Sequence, residues 1–161
     1  MRLGIISDTH GNTYHTHRAV EEFRKIDVDV ILHCGDVGSP GIVSQFQEWP
    51  THFVAGNCDD CILLEQEVLA AEQQWHHLFG DFQLFNRRIA LLHSHVIGKL
   101  DHCAQSGDYD LVCYGHTHQH ETHSVGNTTI VNPGAMHRAV KYTIALVNLA
   151  TMQVEHFKVE C

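Results

Sequence analysis

Asp8 and His10 stand two residues apart, directly after the apolar run Leu3-Gly4-Ile5-Ile6 and Ser7. A short continuous apolar run reads as a strand covered on both faces. Residues i and i+2 at its carboxyl end project to the same side. An oxygen and a nitrogen donor are thereby offered together, at the edge where open α/β sheets place their ligands. The pattern recurs along the chain. Asp36 follows the run 28–32, Asn57 follows 52–55, His93 and His95 follow 88–92, and His116 and His118 follow 111–114. Taken singly, Asp36 and Asn57 are ordinary turn residues and each imidazole is an ordinary surface group. Five strand ends delivering carboxylate, amide and imidazole donors are a metal-site pattern. Asp8, Asp36 and Asn57 with His10, His93, His116 and His118 exceed what one tetrahedral ion needs. They suit two divalent ions sharing a carboxylate.

The elements that must carry these groups can be read in order. Helices are expected over 13–25, 40–49, 62–73 and 98–105, the first with Ala19, Val20, Phe23 and Ile26 at helical spacing. The runs 81–85 and 88–92 flank Asn86-Arg87 as a hairpin. Further strands are expected over 121–125, 128–131, 142–149 and 154–159, with turns at Gly126-Asn127 and Asn132-Pro133-Gly134. The first half alternates strand and helix while the second is mostly strand, so a two-sheet sandwich with helices outside accommodates both.

Composition bounds the rest. The 161 residues, 43% hydrophobic and 18% charged, suit one globular domain spanning 1–161. No run approaches the length of a membrane span or of a signal-peptide core, so a cytoplasmic location off the membrane is expected, with reduced thiols. The net charge of −9 disfavours nucleic acid as the main substrate. Histidine is unusually abundant at 16 residues, most of which need a structural explanation. Cys34 and Cys113 lie in apolar runs and read as core residues. Cys58 and Cys61 have redox or zinc half-motif spacing, but no second pair lies at a suitable distance.

In their order along the chain, Asp8-Thr9-His10, Gly35-Asp36, Gly56-Asn57-Cys58-Asp59, His93 and Gly115-His116-Thr117-His118 resemble the calcineurin-like metallophosphoesterases. The likeness is to their small single-domain prokaryotic phosphodiesterases, and it runs as far as Asn132-Pro133-Gly134. The resemblance implies a four-layer α/β/β/α sandwich and a dinuclear site. Asp8, His10, Asp36 and His118 would hold one ion; Asp36 would bridge, and Asn57, His93 and His116 would complete the second. It favours Mn²⁺, with Ni²⁺, Fe²⁺, Co²⁺ and Zn²⁺ also accepted by such donors. A hydroxide between the ions would attack the phosphorus of a small phosphate ester.

Departures from the family pattern matter here. Many members have His in place of Cys58, as proton donor to the leaving group, and a neutral thiol donates weakly. His95 is the substitute, as general acid or as a phosphate contact. Asp59 would orient a neighbouring ligand or cap a turn. Ser94 and Ala135 replace the more usual Gly and Ser. A protein-interaction scaffold like the related retromer subunit is the alternative, and the complete ligand set argues against it. The sequence leaves a homo-oligomer open.

Overall fold

The computed structural model describes residues 1–160. In chain order the elements are β1 (Arg2–Ile6), α1 (Thr13–Lys25), β2 (Val30–His33), α2 (Pro40–Val43), β3 (Thr51–Phe53), α3 (Cys61–Ala70), β4 (Gln74–Trp75), β5 (Phe79–Leu84) and β6 (Arg87–Leu92). There follow α4 (Lys99–Gln105), β7 (Leu111–Cys113), β8 (Glu121–Val125), β9 (Thr128–Asn132), β10 (Thr143–Asn148) and β11 (Gln153–Lys158).

The strands form two sheets, ordered β11-β10-β1-β2-β3-β4 and β5-β6-β7-β9-β8. Alternation along β1 decides which layer each residue joins. Leu3 and Ile5 enter the apolar layer between the sheets, with Leu32, Val54, Ile89, Leu91 and Val131. Ile6 faces the other way and packs with Phe23, Val20, Ile42 and Val68 beneath the helices α1–α3. Cys103 and Ala104 of α4 cover the outer face of the second sheet, against Leu92, Val112 and Ile130. The result is the four-layer α/β/β/α sandwich.

Strand direction positions the site. β1, β2 and β3 are mutually parallel, as are β6, β7 and β9. All six carboxyl ends therefore carry their loops at corresponding sheet edges.

Local differences from the expectations have local causes. The helix expected over 40–49 stops at Val43 and tightens to a 3₁₀ turn, where the Ser44 hydroxyl bonds back to the Gly41 carbonyl (3.1 Å). β2 starts at Val30 and not at Val28, after a turn in which Asp27 has φ 54°. The hairpin turns at Phe85-Asn86, one residue earlier than expected. Both have positive φ, as a two-residue turn between paired Leu84 and Arg87 requires. The helix expected over 62–73 ends at Ala70, and the short β4 that follows was not expected; two residues carry no periodicity, and pairing with β3 alone defines it.

Candidate metal centre

The loops leaving β1, β2, β6 and β7 bring Asp8, His10, Asp36, His93 and His118 face to face. Asp36 Oδ2 lies 3.4 Å from His10 Nε2 and 3.3 Å from His93 Nε2. Asp8 Oδ1 lies 3.2 Å from His118 Nε2, 3.8 Å from His10 Nε2 and 3.9 Å from His93 Nε2. Asp8 and His93 are wholly buried, and Asp36 nearly so.

The backbone is bent to achieve this. Asp8, His10, Asp36, His116 and His118 have φ of 53°, 45°, 52°, 78° and 57°. Left-handed backbone in non-glycine residues is costly and concentrates at functional sites. Two glycines make the close approach feasible. A Cβ on Gly56 would sit 2.0 Å from Asp36 Oδ1, and one on Gly115 would sit 2.0 Å from Ser7 Oγ.

One oxygen of each carboxylate is committed to the protein. Asp8 Oδ2 accepts from the Ser7 hydroxyl (2.6 Å) and from the His116 backbone N–H (3.0 Å). Asp36 Oδ1 accepts from the Cys58 N–H (2.9 Å). The other oxygens point at the imidazoles. His93 Nδ1–H donates to the Cys34 carbonyl oxygen (2.8 Å), which leaves Nε2 as the ring atom that faces the carboxylates. Asp8 Oδ1, His10 Nε2 and His93 Nε2 are buried and without a hydrogen-bond partner, and both nitrogens lie within 3.9 Å of that oxygen.

Buried polar atoms are almost always paired. Acceptors and lone pairs converging without donors between them need positive charge there. A proton would serve in part. Burial pushes the His93 pKa down, but the adjoining Asp36 and Asp8 carboxylates outweigh it and raise it overall. Burial likewise favours the neutral Asp36 carboxyl, yet His93 and the Cys58 N–H hold it below the ordinary carboxylate range. Divalent cations fit this donor set better, and ligand atoms of Asp8, His10 and His118, and of Asp8, Asp36 and His93, lie within 4.8 Å of one another.

The remaining predicted residues surround this cluster. Asn57 and His116 line a cavity of about 480 Å³ together with His10, Asp36 and His118. The His116 ring lies 5.1 Å from that of His93. Cys58 lines the same cavity, and its Sγ accepts from the Asn57 amide (3.3 Å). Asp59 touches no ligand side chain. It accepts backbone N–H groups from Val37 (3.1 Å), Gly38 (2.8 Å) and Gly56 (2.8 Å), clamping the loops after β2 and β3 to each other. His95 sits beside His93, centroids 5.6 Å apart, outside the cavity lining among the described residues. The lining also includes His137 and Arg138, which the sequence reading did not single out. They follow β9, another strand of the same edge, but the Asn132-Pro133-Gly134 turn and Ala135-Met136 intervene and hide the strand-end signal.

Comparison with known proteins agrees with this architecture. A phosphodiesterase of Methanocaldococcus jannaschii is 31% identical over 138 residues, covering 83% of each chain. Phosphodiesterase YfcE of Escherichia coli K12 is 27% identical, over 84% of this chain and 79% of its own. A solved archaeal phosphodiesterase superposes with TM-score 0.90 at 24% identity, covering 98% of this chain and 99% of its own. Vps29 of Entamoeba histolytica shares the fold at TM-score 0.69 and 17% identity, over 100% and 99% of the two chains. The sequence pattern of the calcineurin-like phosphoesterase superfamily domain matches residues 1–152, and the chain belongs to that superfamily.

Proposed function

We propose that the chain hydrolyses a small phosphodiester at a dinuclear centre, with Asp36 bridging. Asp8, His10 and His118 would help hold one ion, and Asn57, His93 and His116 the other. The observation that carries this reading is the set of buried, partnerless atoms Asp8 Oδ1, His10 Nε2 and His93 Nε2, with both nitrogens within 3.9 Å of that oxygen. Two divalent ions, Mn²⁺ first among them, would supply hydroxide near neutral pH and contacts for the phosphate oxygens.

The chain's own residues do the positioning. Ser7 and the His116 N–H fix the Asp8 carboxylate, and the Cys58 N–H fixes that of Asp36. The Cys34 carbonyl sets the His93 tautomer. Asn57 contributes a neutral amide, which keeps the centre more electrophilic than a third carboxylate would. The open cavity, about 480 Å³, admits a small ester.

Two groups of the cavity lining, Cys58 and His137, are disfavoured as proton donors. Partial burial and the Asp36 carboxylate raise the Cys58 thiol, while burial and neighbouring His10 and Arg138 lower His137. Burial and His93 also lower His95, proposed as general acid or phosphate contact, which disfavours its protonated, proton-donating form. Leaving groups that need no strong acid are therefore favoured, which means diesters and aryl esters over alkyl monoesters.

A protein-interaction scaffold on the same fold would have no chemical reason to keep these donors. The test is elemental analysis together with hydrolysis of bis(p-nitrophenyl) phosphate. Nearly two ions per chain and turnover lost in Asp36→Asn are expected. Less than one ion, with no turnover after adding Mn²⁺, Ni²⁺ or Zn²⁺, would hand the lead to the scaffold. Equal rates on unactivated alkyl monoesters would sink the diester preference.

A further inference from the structure

The chain is acidic, with ten Lys and Arg against nineteen Asp and Glu. Among the described residues, Arg18, Arg24, Lys25, Arg87, Arg88 and Lys158 each pair with a carboxylate, and the Lys99 ammonium lies 3.8 Å from the centroid of the Phe79 ring. Among the described residues, the cations whose side chains have neither kind of contact are Arg2, Arg138 and Lys141. Arg2 begins β1, at the end of that strand remote from the site. Arg138 and Lys141 are three residues apart in one loop and line adjoining cavities.

Arg138 belongs to the cavity of about 480 Å³ that holds Asp36, Asn57 and His116. Lys141 lines a second cavity, of about 360 Å³, with Gln119, His120 and Val140. His118 lines both, so the two meet at a side chain of the metal centre. Together they offer nucleotide-sized space, well beyond the needs of a single phosphate. The loop is also fixed at its base. Ala135 pairs with Tyr142, the Thr143 hydroxyl donates to the Pro133 carbonyl (2.7 Å), and the Met136 carbonyl accepts from His15 Nδ1 (3.0 Å).

In a chain with a surplus of carboxylates, two unneutralised cations on a pinned loop beside the site are free to meet an anion. Arg supplies a planar fork suited to phosphate, and Lys a point charge. We propose that Arg138 and Lys141 bind a second phosphate on the substrate, so that the substrate class is a nucleotide ester carrying a further phosphate. This rests on the hydrolase reading. Water adds to the scissile phosphorus and the bond to the leaving oxygen breaks, while the second phosphate is held and unchanged.

The test uses a matched pair: the p-nitrophenyl ester of thymidine 5′-phosphate, with and without a 3′-phosphate. The metal-loaded protein is expected to favour the 3′-phosphorylated ester by about tenfold in kcat/KM, mainly through KM. The double variant Arg138→Gln/Lys141→Gln loses that preference, whereas Lys158→Gln, whose lysine pairs with Glu160, keeps it. Calorimetric titration reads the same site without turnover. Thymidine 3′,5′-bisphosphate should bind about tenfold tighter than thymidine 5′-phosphate in the wild type, and equally in the double variant. Equal kcat/KM for both esters in the wild type, or a preference that survives in the double variant, overturns the proposal and leaves the hydrolase reading standing. Hydrolysis of neither ester while bis(p-nitrophenyl) phosphate is turned over overturns this proposal alone, and turnover of none of the three overturns the hydrolase reading, with which this proposal falls.

Discussion

Two histidine-rich regions of the molecule have opposite characters. At the loop edge, His10, His93 and His118 face the carboxylates of Asp8 and Asp36, and His10 and His93 leave Nε2 without a hydrogen-bond partner. Across β3–β5, His52 and His76 lie nearly parallel, centroids 5.1 Å apart, and both stack on Phe82 at 4.3 and 4.7 Å. Their nitrogens meet at 2.8 Å, so each satisfies the other. Burial lowers both pKa values, His52 to about 4. One region gathers unpaired lone pairs around acidic groups and invites a cation. The other pairs neutral rings and excludes one. Histidine abundance is therefore a poor guide to a site; the carboxylate companions and the unsatisfied nitrogens are the better one.

The contrast breaks most completely at Asp36, whose Oδ2 faces both His10 and His93. Asp36→Asn is expected to cut turnover by roughly 10²–10³-fold or more, by analogy with loss of a charge-stabilising group, and to lower the bound ion count. Turnover on bis(p-nitrophenyl) phosphate and elemental analysis check both. The fold should survive, since the Cys58 N–H still finds an amide oxygen.

A smaller effect is expected at Asp59, which acts only through the backbone of Val37, Gly38 and Gly56. Asp59→Ala frees three N–H groups and loosens the two loops carrying Asp36 and Asn57. Ion affinity should fall about 10–100-fold, the range seen when partners that orient ligands are removed. Competition with a chelator measures it. Unaltered affinity would show that the loops hold themselves.

Much of the candidate site was legible because its donors follow apolar strands directly: Asp8 after β1, Asp36 after β2, His93 after β6, and His116 and His118 after β7. Strand ends place residues predictably, so the short-range pattern carried long-range information. The α1 bounds were legible for the same kind of reason, as the Asn12 side chain accepts from the His15 N–H and caps a clear apolar stripe. What escaped depends on contacts between distant segments. The Asp59 clamp joins two loops, and no local pattern names its three donors. β4 exists only as a partner of β3. His137 and Arg138 reach the cavity from the far side of a turn, beyond the span of any strand-end rule. His33 shows the converse. It ends a buried strand as the ligands do, yet its Nε2 lies 3.0 Å from Thr9 Oγ1 and its Nδ1 accepts from the Gly35 N–H (3.3 Å), so the structure uses it up internally.

The smallest expected effect sharpens the comparison from the other side. In the folded chain the His52 pKa is about 4, against about 6.5 for an exposed ring, because burial and neighbouring His76 disfavour the charged form. Between those values the unfolded chain binds the proton and the folded chain does not, so stability rises with pH across this window and is lost as pH falls through it. Allowing for the partial exposure of His52, its contribution to the loss between pH 6.5 and 4.5 should be about 1–2 kcal/mol. His33, held at about 3 by burial, adds a loss of the same sign. His52→Gln removes one titrating ring, so its stability should vary less steeply over that window, as read from denaturant midpoints at the two pH values. Ion content near pH 7 should be unchanged, because the stack shares no atom with the carboxylate cluster. An equally steep dependence in the variant would place the acid sensitivity at the loop edge, and the division between the two regions would have to be redrawn.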